Sequence, residues 1–292
     1  QAHILEEVRS WSPQALPGVQ TLFRGETCVS RDLISPTVRG CPSCLRGDVT
    51  SDQIQPEGQM VMQGHWQLRY TEMCLHHSQP LVPLWKVANL WSRYDFATRL
   101  RKIADDIMSD RLYPPIQPIS PYDFWLGERL STGSDVTWLS TQATDTAATF
   151  CRLLGAELIR VMPDVESIEE PARAVGFDVA RSGPEAIRQA LRNLSSAASG
   201  PHDGTRVAFG HLYRWLAHDA ADDPRCDAYR ELLREVILET WAIPAGEVVL
   251  GKPLLARRLH SVASASEKIG RSKKVARQIL ENEGIIDSDD SR

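Results

Sequence analysis

The stretch VRGCPSCLRGD, residues 38–48, sets two cysteines two residues apart around a proline. Such a pair can share one metal ion or form a redox disulfide. A redox C-x-x-C usually opens a helix directly after a strand. The residues leading to Cys41, SRDLISPTVRG, are polar and broken by proline, with no strand-like apolar run. The pattern therefore favours a structural zinc, which needs four nitrogen or sulfur ligands in a tetrahedron. The nearby cluster of soft ligands is MCLHHSQPL, which offers Cys74 and His77 at C-x-x-H spacing, with His76 as a competitor. Joined, the two halves make a Cys3His site of Cys41, Cys44, Cys74 and His77 for one structural zinc ion. The gap between Cys44 and Cys74 is longer than in a compact zinc finger. A metal closing so long a loop stabilises both ends against loop-closure entropy. A catalytic zinc would need an open position and a carboxylate base. Asp48 is close in sequence, but three thiolates make a poor hydrolytic centre, so the reading is not that of an enzyme.

The remaining composition narrows the class. The chain has 292 residues, 42% hydrophobic and 24% charged, ordinary values for a globular protein of one to three domains. No run of 18 apolar residues is present, so no membrane span is expected. The N-terminus lacks the basic and apolar regions of a signal peptide and an initiator Met, so the chain reads as a trimmed piece of something longer. The net charge of −5 excludes a uniformly basic protein but not a local basic patch. Cys28, Cys151 and Cys226 stand apart from one another and read as buried residues of a reducing compartment, not as a disulfide scaffold.

Five segments follow from the patterning. Residues 1–37 form an N-terminal segment with few periodic runs. Residues 38–91 form the zinc module, ribbon-like, with a short strand expected in 63–74 from the alternation of Trp66, Leu68 and Tyr70. Residues 92–250 are helical. Phe96, Leu100, Ile103 and Ile107 recur at helical spacing, and LYPPIQPISP reads as a proline-rich linker or turn. A helix then starts at a Ser120 cap with Pro121 in its first position and Asp123 in its first turn. Gly155 reads as a helix stop, and Ser182 as the cap of a helix burying Ile187, Leu191 and Leu194. Two more amphipathic helices carry Phe209, Leu212 and Trp215, and Leu232, Leu233, Val236 and Ile237, as core.

Residues 251–286 are the basic part of the chain, followed by an acidic tail, 287–292. The basic part splits into a helix at about 261–269, a turn at Gly270-Arg271 and a second helix capped by Ser272. Val275, Ile279 and Leu280 are expected to form the buried stripe of the second helix, with Lys273, Lys274 and Arg277 pointing away. That is the layout of a helix-turn-helix. Cationic residues in the first turn oppose the helix dipole, which makes sense if they meet phosphate. The candidate DNA-binding residues are Arg257, Arg258, Arg271, Lys273, Lys274 and Arg277. The usual spacing from turn glycine to buried residue is off by one: Ala276 occupies the expected slot and Val275 comes early.

Taken together, VRGCPSCLRGD, CLHHSQPL and the segments DFWLGERLSTGSDVTWLSTQATDTAATFCRLLGAEL, VAFGHLYRWL and RRLHSVASASEKIGRSKKVARQILENEGII resemble the TniQ family of transposon target-selection proteins. The resemblance implies a mainly α protein: an N-terminal zinc-ribbon-like module, helical subdomains and a C-terminal helix-turn-helix. It implies zinc on Cys41, Cys44, Cys74 and His77, and an adaptor without catalytic residues of its own. Its implied partners are DNA and an AAA+ transposition regulator of the TniB or TnsC kind. An RNA-guided CRISPR effector and a second copy of the chain remain open as further partners. The implied setting is the bacterial cytoplasm, at the nucleoid. Many members carry a further cysteine pair after the histidine; SQPLVPLWKV has none here. The competing reading is a stand-alone zinc-containing DNA-binding regulator.

Overall fold

The computed structural model describes residues 2–87, 89–162, 171–198 and 203–285. The expected acidic tail, 287–292, and Ile286 lie outside the described residues. The fold is mainly helical and divides into two compact units, Gln1–Thr149 and Phe150–Arg292. The dividing point falls inside the region that reads from sequence as one helical stretch.

The first unit opens with α1 (Ala2–Ser10) and a three-stranded antiparallel sheet in the order β1 (Gln14–Ala15), β2 (Gln20–Phe23), β3 (Glu26–Val29). The sequence pattern does not announce this sheet, because strands of two to four residues are too short for their alternation to register. β4 (Thr37–Gly40) then runs into α2 (Pro42–Gly47), which takes Cys41 as its N-cap and Pro42 at its first position. Proline fits there because the first helical N–H has no intrahelical partner. β5 (Met73–Cys74) and β6 (Gln79–Pro80) form a tight hairpin, and β7 (Val82–Lys86) returns antiparallel to β4.

The strand expected in 63–74 is a correction. Residues Gly64–Gln67 form a short 3₁₀ helix, and only Met73–Cys74 are extended in a pair. Trp66, Leu68 and Tyr70 are nevertheless buried while Arg69 is exposed. Alternating burial can arise from a winding loop laid on a core, so the period alone misassigns the backbone.

α3 (Phe96–Met108) is capped by Asp95 and turns Leu100, Ala104 and Ile107 onto Cys41, Leu45, Trp66, Cys74, Leu81 and Leu84. These residues form one hydrophobic core, so α3 packs as part of the cysteine module. The proline-rich stretch is laid along the β5–β6 hairpin, where Gln117 N donates to Ser78 O at 2.8 Å. α4 (Pro121–Thr132) starts on the expected Ser120 cap, which the structure completes as a capping box: Ser120 Oγ accepts from Asp123 N at 3.2 Å and the Asp123 carboxylate accepts from Ser120 N at 3.3 Å. Arg129 of α4, almost fully buried, reaches Glu26 of β3, Asp135, and the carbonyls of Leu139 and Gln142. A buried guanidinium is tolerated there because each side of its fork meets an acceptor.

α5 (Thr144–Val161) begins in the first unit and continues into the second. Gly155 does not stop it. A Cβ at Gly155 would sit on the carbonyl oxygen of Ala172 and 2.7 Å from Gly176 N in α6 (Ala172–Ala180). A Cβ at Gly176 would sit on the carbonyl oxygen of Cys151. The two glycines let α5 and α6 cross backbone to backbone. α7 (Pro184–Ala197) is capped by Gly183, at φ 99°, and not by Ser182, because the turn before it needs a left-handed residue. Its Ile187, Leu191 and Leu194 are buried as expected.

α8 (Thr205–Arg214) is broken at Gly210, at φ 43°, and leads into a wide π-type turn, Trp215–Asp219. Glu157 of α5 accepts from His211 N at 2.7 Å and so caps the second half of this helix. The sequence pattern indicates one uninterrupted helix here; the break is set by a carboxylate more than fifty residues away. α9 (Asp227–Thr240) buries Leu232, Leu233, Val236 and Ile237. A short hairpin follows, β8 (Val248–Val249) with β9 (Lys252–Pro253). Last come α10 (Val262–Ile269), capped by Ser261, and α11 (Lys273–Asn282), capped by Ser272, which pack on each other across Gly270 at φ 64°. Cys28, Cys151 and Cys226 are buried and free of disulfides.

Candidate metal centre and helix pair

Two structural corners bring the four soft ligands together. Cys41 and Cys44 flank the first turn of α2 directly after β4. Cys74 and His77 sit at the end of β5 and in the β5–β6 turn, whose last residue, Ser78, takes a left-handed φ of 52°. The β4–β7 pairing closes the chain around both corners. One ligand atom from each residue lies within 4.8 Å of the others. Nδ1 of His77 is 3.6 Å from Cys41 Sγ, 3.3 Å from Cys44 Sγ and 3.7 Å from Cys74 Sγ, and Cys44 Sγ is 3.6 Å from Cys74 Sγ. A tetrahedron with Zn–S of about 2.3 Å and Zn–N of about 2.0 Å has edges of about 3.5 to 3.8 Å. The spacing and the soft donors therefore fit a zinc ion.

The choice between the two histidines is geometric. His77 turns Nδ1 into the cluster, whereas the His76 ring stands nearly perpendicular to it, exposed, with centroids 4.6 Å apart.

Electrostatics explain why these thiols want a cation. Hydrogen bonds from Cys41 and then Cys44 hold the Cys74 thiol far below its ordinary pKa, so it keeps a negative charge. Cys44 is pushed far up, by its hydrogen bonding to Cys41 and Cys74 and by burial. Three sulfurs so close cannot all ionise unaided; a divalent ion at their centre removes the conflict.

A buried neighbour, Gln79, is not singled out by the sequence. Its Oε1 accepts from Ser43 Oγ at 2.7 Å and lies 3.7 Å from Cys41 Sγ, while Nε2 donates to Pro114 O at 3.0 Å. It ties the α2 corner to the proline-rich stretch, fixing the orientation of both. Nothing in its local sequence marks it, since its partners lie 35 and 36 residues away. Asp48 is not turned to the cluster as a base: its carboxylate accepts from Val61 N at 2.9 Å. Beside the ligands runs a groove of about 640 Å³, walled by Trp11, Leu75, His76, Phe124 and Leu130. Its described lining carries four carboxylates, Asp48, Glu72, Asp123 and Glu128, and no Lys or Arg.

In the second unit, the helix pair follows the expected spans, but its faces differ from the expected ones. Ala276 is fully buried, whereas Val275 and Ile279 are 45% and 43% exposed. The inward position is the one the turn spacing favours, so the stripe of Val275, Ile279 and Leu280 is not the packed face. Arg271, Lys273 and Lys274 are exposed, as is Arg258. Arg257 and Arg277 are half-buried, and Arg277 lies 3.8 Å from Glu281 one turn on.

No helix among the described residues is long and apolar enough to cross a membrane. No curated protein and no solved structure matches the chain. Residues 1–81 match the TniQ family model, a span that includes all four converging ligands. Over this N-terminal segment the chain is similar to the TniQ family.

Proposed function

We propose that this protein is a target-selection adaptor for transposition, which binds DNA or a DNA-bound complex and recruits an AAA+ regulator. The observation that carries the reading is the convergence of Cys41, Cys44, Cys74 and His77 inside the family-matched segment. Zinc on these four residues serves as a staple. Four protein ligands fill a tetrahedral shell and leave no position for an activated water. The metal's contribution is therefore to hold β4, α2 and the β5–β6 hairpin in place, and with them the wall of the adjacent groove.

The rest of the molecule is read as binding surface. The groove beside the metal has exposed apolar chains, Phe124 and Leu75, and an acidic lining, which suits a protein partner better than nucleic acid. DNA contact falls to the other end of the chain, where we read α10 and α11 as a helix-turn-helix. Arg271, Lys273 and Lys274 stand at the start of α11, and Arg257, Arg258 and Arg277 are nearby in sequence. Eight Lys and Arg against three Glu lie in residues 252–285 of a chain whose net charge is −5. Unpaired lysines in the first turn of a helix are unfavourable unless an anion is near, and phosphate is such an anion.

The test is capture of the AAA+ regulator encoded in the same element by the purified full chain, with and without duplex DNA. Capture that is lost when the metal ligands are replaced supports the adaptor. Duplex binding with no capture would replace it with the stand-alone DNA-binding regulator.

A further inference from the structure

The outward face of α11 is not simply cationic. Lys274, Val275, Gln278, Ile279 and Asn282 follow one another at spacings of one and three, and so lie along one side of the helix. All five are exposed, and the helix turns Ala276 inward on the opposite flank. Val275 and Ile279, 45% and 43% exposed, stand beside two neutral amides.

The chemistry of this stripe has a counterpart in the major groove of DNA. Gln and Asn amides pair in bidentate fashion with the N6 and N7 edge of adenine, and aliphatic chains meet the C5-methyl of thymine. From Val275 to Asn282 the helix rises about 10 Å at 1.5 Å per residue. That spans about three base-pair steps of 3.4 Å. Arg271, Lys273 and Lys274 at the N-terminal end supply the complementary charge for the phosphates that flank the groove. Glu281, two turns beyond Lys274 and 3.8 Å from Arg277, borders the stripe.

We infer that α11 reads sequence as well as binding phosphate: Gln278 and Asn282 select adenine, and Val275 and Ile279 select thymine, within about three adjacent base pairs. This rests on the reading of the helix pair as a DNA-binding element. It commits the exposed apolar pair to a duplex major groove and not to a second copy of the chain.

The test is selection of bound duplexes from a random library by the full chain, followed by affinity measurements on the selected site. The expected site contains A·T pairs within a three-base-pair core. Replacing its thymines by uracil, which removes only the methyl groups, should weaken wild-type binding several-fold. Gln278→Ala should lower the preference for adenine at one position by roughly tenfold, and the V275A/I279A variant should no longer distinguish thymine from uracil. Circular dichroism establishes that each variant is folded, and the uracil substitution needs no variant at all. Duplex binding without a selected site, or a site indifferent to uracil and to Gln278→Ala, overturns sequence reading and leaves phosphate binding in place. Failure to bind any duplex at low salt overturns both. A dimer that V275A/I279A dissolves, with base preference intact, assigns the face to self-association and overturns the inference.

Discussion

Gly155→Ala is the sharpest probe of how the second unit is packed. Two opposed effects can be weighed from the structure. In an exposed helix interior, replacing Gly by Ala stabilises by about 1 kcal/mol. Here the added methyl would lie on the Ala172 carbonyl oxygen and 2.7 Å from both the Ala172 carbonyl carbon and Gly176 N. All three are backbone atoms, so no side chain can swing away, and α6 must move off α5 by more than an ångström. Overpacking in a filled core costs about 1–3 kcal/mol when side chains can adjust, and occasionally more. A backbone obstacle belongs at the upper end, so the net loss should be about 2–3 kcal/mol. For a unit of this size that corresponds to roughly 10 °C in Tm. Because the chain has two units, hydrogen exchange of α5 and α6 amides should accompany the thermal scan, so that the loss is located. Gly176→Ala should behave alike, since its methyl meets the Cys151 carbonyl. An unchanged or raised Tm for Gly155→Ala would refute the close crossing of α5 and α6.

Three further outcomes are expected. Metal analysis of the purified protein should give one zinc per chain; His77→Ala should lower that content and expose reactive thiols, while His76→Ala should leave it at one, and the reverse result would reassign the ligand. The K273E/K274E variant should bind duplex DNA more weakly, with a shallower dependence on salt: each phosphate no longer neutralised removes about 0.9 from the slope of log affinity against log salt, so a drop near 2 is expected, and an unchanged slope rules these lysines out. Asp223 should contribute an acid-sensitive increment of stability. Burial acts to raise its pKa, but the hydrogen bonds from the Arg225 side chain and backbone outweigh it and hold the carboxyl below its usual value. A lowered folded-state pKa stabilises above the unfolded value of about 3.9 and is lost as pH falls through the folded one; unfolding of Asp223→Asn measured below about pH 4 should therefore show a weaker dependence on pH than wild type.

Local chemistry was legible wherever one segment carried its whole cause. The Ser120 cap, the proline at the first turn of α4, the Ser272 cap and the Gly270 turn each depend on residues within four positions, and the structure places each as the sequence indicates. The Cys3His cluster was legible for a different reason. Zinc restricts its donors to few residue types, and the knuckle spacing of C-x-x-C and C-x-x-H fixes each half locally. What remained was to bring Cys44 and Cys74 together across the intervening loop, and the β4–β7 pairing with the core around Leu45, Trp66 and Leu84 does that.

Other features depended on partners that no local pattern names. Whether a glycine ends a helix or admits a neighbouring backbone is decided by what crosses it: Gly155 meets Ala172, and the break at Gly210 is held by Glu157. Helical periodicity indicates that a helix has an apolar side but not which of two adjacent stripes is packed, since they differ by only about 100° of rotation. On α11 the sequence favours Val275, Ile279 and Leu280, and the turn at Gly270 rotates the helix so that Ala276 goes inward and Val275 and Ile279 outward. The sequence alone thus determined the donors, the caps and the charge, which are properties of residues and their near neighbours. Tertiary structure decided register, crossing and exposure, because those follow from long-range packing that a one-dimensional period does not encode.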